Sequence, residues 1–174
     1  MAAAWKESLH ELLSQRRSEP DKSPRIAILG VGNPMRSDDA AGVLVARLLL
    51  QRDLAPEADR VLIIEAGHAP ENRTGELRRF LPDIVLIIDA ADMGETPGTV
   101  QWIPEESIDG MNASTHSLPL SMLSRYLKLE LNCTVAVLGI QAASNEVGES
   151  VSPDVFQAIH EIVNEMERFV RDVN

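Results

Sequence analysis

The sequence predicts an α/β fold, a three-layer α/β/α sandwich with a mostly parallel five-stranded sheet of the phosphorylase/hydrolase-like type. Two observations support this prediction. Strand-like segments alternate with helix-like segments along the 174 residues, which is typical of parallel strands joined by helical crossovers. The strand-like segments are also continuous runs of Val, Ile and Leu, as expected when helices cover both faces of a sheet.

The N-terminal segment predicts a short amphipathic helix followed by a polar linker. Its apolar residues recur at the spacing of one helix face: Trp5, Leu9, Leu12 and Leu13. The polar stretch "SEPDKSP" comes next. We therefore expect residues 1–24 to form an N-terminal helix and linker, and residues 25–174 to form a single α/β domain. The helix either packs on the surface of this domain or contacts another chain.

From Arg25 onward the predicted strands and helices alternate. The predicted strands are 25–31, 60–66, 83–91, 98–104 and 133–141. The predicted helices are 39–51, 70–80, 118–131 and 153–173. The strand at 98–104 has the weakest pattern, which indicates an edge position. Pro153 suits the first turn of the last helix, where its missing N–H is not needed.

The composition excludes several functional classes. A formal net charge of -11 and a pI of about 4.8 argue against a nucleic-acid partner, whose phosphates require cationic contacts. A single cysteine, Cys133, excludes a disulfide framework and a cysteine zinc cluster. No apolar run approaches the roughly eighteen residues of a membrane span, and the N-terminus lacks the apolar core of a secretory signal. We therefore expect a cytoplasmic protein without a membrane partner. The sequence does not define its oligomeric state, and a monomer is the simplest expectation.

Polar residues collect where the predicted parallel strands end, which is where such sheets bind their ligands. These residues are Asn33, Asp38 and Asp39 after the first strand, Glu65 and His68 around the end of the second, Asp89 at the end of the third, and His116 before the helix 118–131. If the first and third strands are neighbours, Asp39 and Asp89 face each other across one crevice. His116 would then approach from the side.

Two carboxylates and one imidazole are suitable ligands for a divalent cation such as zinc or nickel, with water or substrate completing the shell. Each residue also has a simpler interpretation. Instead of binding a metal, Asp38 or Asp39 could be the N-cap of the following helix, which is a common role for aspartate. Asp89 alone would anchor the next loop by hydrogen bonds, and His116 would be a surface histidine at a helix entry.

A nucleotide site is disfavoured. Glu65 matches the acidic residue at the end of the second strand of a dinucleotide-binding unit, but Met35 stands where the third glycine of G-x-G-x-x-G belongs. There is also no P-loop lysine. We expect Glu65 and His68 to support the ligands or to contact the substrate, together with Asn33 and Asp38.

Four segments give the chain a family resemblance: "GVGNPMRSDDAAG", "EAGHAPE", "PDIVLIIDAADMGETPGT" and "STHSLPL". They resemble the maturation endopeptidases of nickel-iron hydrogenases, and the likeness extends over nearly all of the chain from Arg25 to the C-terminus. The branch that processes formate-hydrogenlyase-type hydrogenases is the most similar, since it shares the "AADMG-x-x-PGT" run. One departure is Ala40, where many members have glycine.

The resemblance implies that Asp39, Asp89 and His116 contact the metal and that the two aspartates are catalytic. It also implies an activity: removal of a short C-terminal extension from the hydrogenase large-subunit precursor after nickel insertion. The precursor would be the partner, and the divalent metal would be nickel presented by that substrate. Zinc or cadmium would be able to replace nickel in a crystal.

Two other functions are compatible with parts of the sequence. A non-catalytic assembly factor that binds nickel or the precursor would use the same three residues. A peptidyl-tRNA hydrolase-like esterase would share the "GxGNP" turn, but that family has a "TRHN" run soon after the turn, where this chain has "MRSDD". The acidic net charge also suits a tRNA substrate poorly.

Overall fold

The computed structural model describes residues 4–16, 23–54, 59–103, 107–108 and 119–171. The helices within these ranges are α1 (Ala4–Arg16), α2 (Ala41–Leu50), α3 (Thr74–Phe80), α4 (Leu120–Leu131) and α5 (Pro153–Arg171). The strands are β1 (Ile26–Val31), β2 (Val61–Gly67), β3 (Ile84–Ala91), β4 (Val100–Ile103) and β5 (Thr134–Gln141). The 3-10 turns Ser37–Ala40 and Pro70–Arg73 precede α2 and α3.

The five strands form one sheet in the order β2-β1-β3-β5-β4. The β1–β2, β1–β3 and β3–β5 pairs are parallel, whereas β4 is antiparallel to β5 and lies at the edge. The predicted α/β fold with a mostly parallel five-stranded sheet is therefore confirmed. The adjacency of β1 and β3, which the candidate crevice requires, is also observed.

Helices cover both faces of the sheet and divide the core into two clusters. The alternation along β3 separates them: Ile84, Leu86 and Ile88 face one way, whereas Val85 and Ile87 face the other. The first cluster contains buried residues of α1, α2 and α5, and the second contains those of α3 and α4. No helix within the described ranges is long and apolar enough to cross a membrane.

Helix α1 packs into the first of these clusters. Its apolar residues are all buried: Trp5, Leu9, Leu12 and Leu13. An ion pair and a hydrogen bond join it to α5, since Lys6 Nζ lies 2.7 Å from Glu161 Oε1 and His10 Nε2 lies 3.0 Å from Glu165 Oε1. Of the two roles considered for this helix, packing on its own domain is the one observed.

The start of α2 lies directly against the ends of β1 and β3. A Cβ atom at Gly42 would lie 2.1 Å from the Ile88 carbonyl oxygen and 2.3 Å from the Val31 carbonyl oxygen. Only glycine permits this approach of helix and strand backbones. The residues just before Gly42 are therefore held at the carboxyl edge of the sheet, next to the strand end that carries Asp89.

Candidate active site

Asp39 lies in the 3-10 turn Ser37–Ala40, with 2% of its surface exposed. The Asn33 amide donates to its Oδ2 atom at 3.1 Å and to its carbonyl oxygen at 3.1 Å. Gly32, with φ of 135°, makes room for the turn, because a Cβ there would lie 1.9 Å from the Asp39 carbonyl oxygen. The backbone of the "GVGN" stretch thus fixes Asp39 at the end of β1.

Ser37, two residues before Asp39, has a φ of 37°. This left-handed conformation is unfavourable for a serine and persists where surrounding contacts impose it, as at many functional sites. Here the Ser37 hydroxyl donates to the Ser150 carbonyl at 3.0 Å. Backbone strain is therefore concentrated beside Asp39 and is held by the loop that follows β5.

Asp38 is fully buried and accepts four hydrogen bonds from that loop. The amides of Ala143 and Ser144 donate to Oδ2 at 2.7 and 3.1 Å. The Ser152 amide donates to Oδ1 at 2.7 Å and its hydroxyl to Oδ2 at 2.9 Å. A carboxylate with this many donors does not need a metal to satisfy it, so Asp38 holds the residue 142–152 loop in place.

The N-cap interpretation of the aspartate pair is wrong. The N-cap of α2 is Ala40, and neither α2 nor the preceding 3-10 turn has a side-chain hydrogen bond at its cap. The physical reason lies in the turn itself. It places both carboxylates in contacts with surrounding loops, away from the first amides of α2.

Asp89 is fully buried near the carboxyl end of β3. Alternation places it on the face shared with Val85 and Ile87, which is the face covered by α3 and α4. Its register partner on β5 is Gly139. The structure thus brings two buried carboxylates, Asp39 and Asp89, to the ends of two adjacent parallel strands.

His116 lies outside the described residues, so its place relative to these carboxylates stays a prediction. Among the residues that the structure describes, no three His, Cys, Asp or Glu side chains form a group able to hold a metal ion. The two aspartates are the part of the expected ligand set that the structure brings to one edge. Carboxylate oxygens are suitable donors for a divalent cation.

Glu65 and His68 occupy different environments on the edge strand β2 and the loop after it. Arg47 of α2 binds the Glu65 carboxylate through Nε at 3.2 Å and through a second nitrogen at 2.5 Å. These hydrogen bonds lower the pKa of Glu65 below its ordinary value and raise the pKa of Arg47. Glu65 is therefore engaged by the helix on its own side of the sheet, whereas His68 is exposed at the sheet edge.

Sequence reasoning missed Gln141, a buried amide at the end of β5. Its Oε1 atom accepts the Met93 amide at 2.7 Å and the Glu95 amide at 3.2 Å, and its Nε2 donates to the Ala142 carbonyl at 2.9 Å. Gln141 thus shapes the loop after β3, next to Asp89. The signal was present, because a polar residue ends an apolar strand here just as Asp89 does in β3.

The loop shaped by Gln141 also lies close to Gly139, the register partner of Asp89. A Cβ atom at Gly139 would lie 2.9 Å from the Met93 sulfur and 2.7 Å from Ile103 Cδ1. The missing side chain of Gly139 therefore leaves room for Met93, which packs over the strand next to Asp89.

Comparison of the sequence with known proteins gives a consistent result. A family model described as hydrogenase maturation protease matches residues 43–169. A putative hydrogenase maturation protease from Methanocaldococcus jannaschii is 37% identical, over 67% of this chain and 72% of its own length. The hydrogenase 3 maturation protease of Escherichia coli K12 is 39% identical, over 66% of this chain and 70% of its own.

Solved structures agree with the sequence matches. The crystal structure of a [NiFe] hydrogenase maturation protease from Thermococcus kodakarensis superposes with a TM-score of 0.75 at 29% identity, covering 87% of this chain and 95% of that one. The solution structure of an Escherichia coli endopeptidase superposes with a TM-score of 0.73 at 32% identity, covering 83% of this chain and 90% of that one. The structural similarity therefore extends over most of the chain, and the family model begins at residue 43, just after Asp39.

Proposed function

The chain belongs to the hydrogenase maturation protease family, and from this premise we propose that it removes the C-terminal extension of a nickel-iron hydrogenase large-subunit precursor after nickel insertion. It is a hydrolase that acts on a peptide bond. The proposal includes the cytoplasm as its location. Cys133, the single cysteine of the sequence, has a buried thiol, which is compatible with that reducing compartment.

The observation that carries the proposal is the pair of buried carboxylates, Asp39 and Asp89, at the ends of adjacent parallel strands. Two carboxylates at one sheet edge repel each other, and a divalent cation relieves that repulsion. The nickel held in the precursor is such a cation, so it serves as part of the substrate. The site then distinguishes a nickel-loaded precursor from an empty one, because only the loaded form neutralises the pair.

One of the two carboxylates also transfers the proton during the reaction. With the nickel-bearing precursor placed against Asp39, Asp89 and His116, the scissile peptide lies at the carboxyl edge of the sheet. One carboxylate takes a proton from a water molecule whose oxygen adds to the peptide carbonyl carbon. The same carboxyl group then returns the proton to the departing amine, which leaves two shorter chains.

The loops that frame the crevice are built to stay in place during this reaction. Asp38 fixes the loop after β5 through four hydrogen bonds. Gln141 fixes the loop after β3 through two backbone amides. Pre-positioned loops favour a productive substrate geometry, which is the main contribution that such a scaffold makes to catalysis.

The test is cleavage of a nickel-loaded, C-terminally extended precursor, followed by mass spectrometry of the large subunit. Asp39→Asn keeps an oxygen for the Asn33 amide, so we expect it to fold normally and to lose about a hundredfold or more of the cleavage rate. Asp59→Asn, a change at an exposed carboxylate outside the crevice, is the control and should cleave at the wild-type rate.

Two outcomes would contradict the proposal. A fully active Asp39→Asn variant removes Asp39 from the reaction. Wild-type protein that binds the loaded precursor without shortening it is instead a non-catalytic assembly factor.

A further inference from the structure

The outward side of α4 carries apolar side chains in a line along the helix. Met122 is 58% exposed, Tyr126 is 37% exposed and Leu129 is 81% exposed. Their spacing of i, i+4 and i+7 places them on one helix face. The opposite side of α4 is buried in the core through Leu120, Leu123 and Leu127. Helix α4 is therefore apolar on both sides, and its outward line of apolar side chains stays largely exposed.

Two cationic side chains and one acidic side chain flank this line of apolar residues, since Glu130 Oε1 lies 3.4 Å from Arg78 Nε. Arg125 lies between Met122 and Leu129 on α4 and is exposed. Arg78 of α3 donates a hydrogen bond to the Tyr126 hydroxyl, and its guanidinium lies 5.7 Å from the centre of the Tyr126 ring. We call these five residues, Arg78, Met122, Arg125, Tyr126 and Leu129, the α4 flank.

The charge of this region is opposite to that of the chain. Residues 70–81 and 119–131 contain five cationic and three acidic side chains, in a protein with a formal net charge of -11. An acidic partner is repelled by the rest of the surface and attracted here. Arginine, tyrosine and methionine around an apolar centre are also the residues enriched at the centres of protein interfaces.

The α4 flank leads to the candidate active site. Helix α4 ends at Leu131 and β5 begins at Thr134, so the last turn of α4 lies at the amino end of β5. Its first turn consequently points toward the opposite edge of the sheet, where Asp39 and Asp89 lie. At 1.5 Å per residue, the helix extends roughly 18 Å away from that edge.

We propose that the α4 flank docks an acidic, partly apolar surface on the folded body of the precursor whose tail enters the crevice. The inference rests on the proposed function, since it names a second contact made by the same substrate. Docking of the body outside the crevice would add affinity for the whole precursor without changing the chemistry at the scissile bond.

The experiment compares Leu129→Ser and Arg125→Glu with the wild-type chain. Both residues are exposed, so the variants should fold normally. Calorimetry with the nickel-loaded precursor should show affinity lower by about tenfold in each variant, as expected when a residue that contributes to an interface is replaced. The KM for cleavage should rise to a similar extent, while kcat at saturating precursor stays unchanged. Added salt should weaken wild-type binding more than Arg125→Glu binding.

Matched controls are available in the other helical layer and on the edge of the sheet. Leu50→Ser changes an exposed leucine of α2, and Arg60→Glu reverses an exposed arginine before β2. Both should bind and cleave like the wild type. If they weaken binding as much as the α4 variants do, the effect comes from general surface charge or hydrophobicity and the docking proposal is overturned.

The outcomes separate this inference from the proposed function. Normal precursor affinity in Leu129→Ser, with cleavage intact in the wild type, overturns the docking surface and leaves the peptidase standing. Lost affinity in the variants, with no cleavage by the wild type, supports the docking surface and overturns the peptidase. A wild-type dimer that Leu129→Ser converts to a monomer, with precursor affinity unchanged, assigns the α4 flank to a second copy and overturns the proposal.

Discussion

Asp38 and Ser152 are joined by two hydrogen bonds although they lie 114 residues apart in the sequence. The Ser152 carbonyl in turn accepts the Phe156 amide at 2.9 Å, which places Ser152 at the start of α5. The buried carboxylate of Asp38 therefore connects the turn that carries Asp39 to the beginning of the C-terminal helix. The stability of the protein and the position of Asp39 should therefore depend on hydrogen bonds between parts of the chain that are distant in sequence.

Replacing Asp38 with alanine should destabilise the protein by about 3 kcal/mol. The amides of Ala143, Ser144 and Ser152 would lose their acceptor, and unsatisfied buried donors are costly. Urea unfolding measures the change in the free energy of unfolding. Asp59→Ala removes an exposed carboxylate and should change it by less than about 0.5 kcal/mol. A loss below about 1 kcal/mol in Asp38→Ala would show that the loop amides find other partners.

Replacing Gly32 with alanine should damage the candidate site more than a glycine substitution normally does. The new Cβ would lie 1.9 Å from the Asp39 carbonyl oxygen, in a backbone conformation that disfavours a side chain. We expect a loss of about 3 kcal/mol or more in unfolding free energy, together with lost precursor cleavage.

Gly94→Ala is the matched control for Gly32→Ala. Gly94 also has a positive φ, of 71°, but nothing lies within 4 Å of a Cβ placed there. Gly94→Ala should lower the free energy of unfolding by about 1 kcal/mol, because only the backbone conformation disfavours the new side chain. Equal losses in the two variants would mean that contact with Asp39 is not the cause.

Replacing Gln141 with alanine should loosen the loop after β3. The amides of Met93 and Glu95 lose the oxygen that accepts them, so their hydrogen exchange should become at least about tenfold faster by mass spectrometry or NMR. Gln101→Ala is the control, because Gln101 contacts the Glu95 side chain and leaves both amides untouched. Unchanged exchange in Gln141→Ala would assign the order of this loop to other contacts.

Glu65 should stabilise the protein in a pH-dependent way. Its folded-state pKa is lowered by the hydrogen bonds from Arg47, so its contribution is present above the ordinary glutamate pKa of about 4.3 and is lost as the pH falls through the lower folded value. The pair is partly exposed, which limits the contribution to less than about 1 kcal/mol.

Glu65→Gln tests this pH dependence. Near pH 7 the variant should be slightly less stable than the wild type in urea unfolding, and the difference should disappear in acid, once the Glu65 carboxylate is protonated in both the folded and the unfolded state. High salt should reduce the difference at neutral pH. A difference that persists at the acid end would have to come from packing, since the charge is then absent in both proteins.

The sequence was sufficient to predict the sheet and the common edge at which Asp39 and Asp89 lie. Continuous apolar runs identified the buried central strands, and the weak pattern at 98–104 correctly indicated an edge strand. The turn after β1 and the end of β3 were both recognisable from local sequence. Once β1 and β3 are neighbours, Asp39 and Asp89 must lie at the same edge.

The contacts of the individual side chains were less predictable because they depend on distant parts of the chain. The partners of Asp38 lie more than 100 residues away, so the local sequence leaves its role open between an N-cap and a support for the ligands. The local sequence predicts that Glu65 supports the ligands or contacts the substrate, and no local pattern reveals Arg47 as its partner, one helix earlier. The role of Gln141 is not evident from its neighbours in the sequence, because its hydrogen-bond partners Met93 and Glu95 lie in the loop after β3.

The loop between β5 and α5 is held mainly through its own backbone atoms, which contact Asp38 and the turn before it. Arg36 and Val147 form an antiparallel bridge, and the Gly148 amide donates to the Met35 carbonyl at 3.0 Å. Shortening this loop by one residue would shift each amide past its acceptor, whereas exchanging exposed side chains such as Glu146 would not. The loop is therefore a natural position for redesigning which peptide the enzyme accepts, since a library there would vary the surface offered to the substrate while Asp39 remains in register.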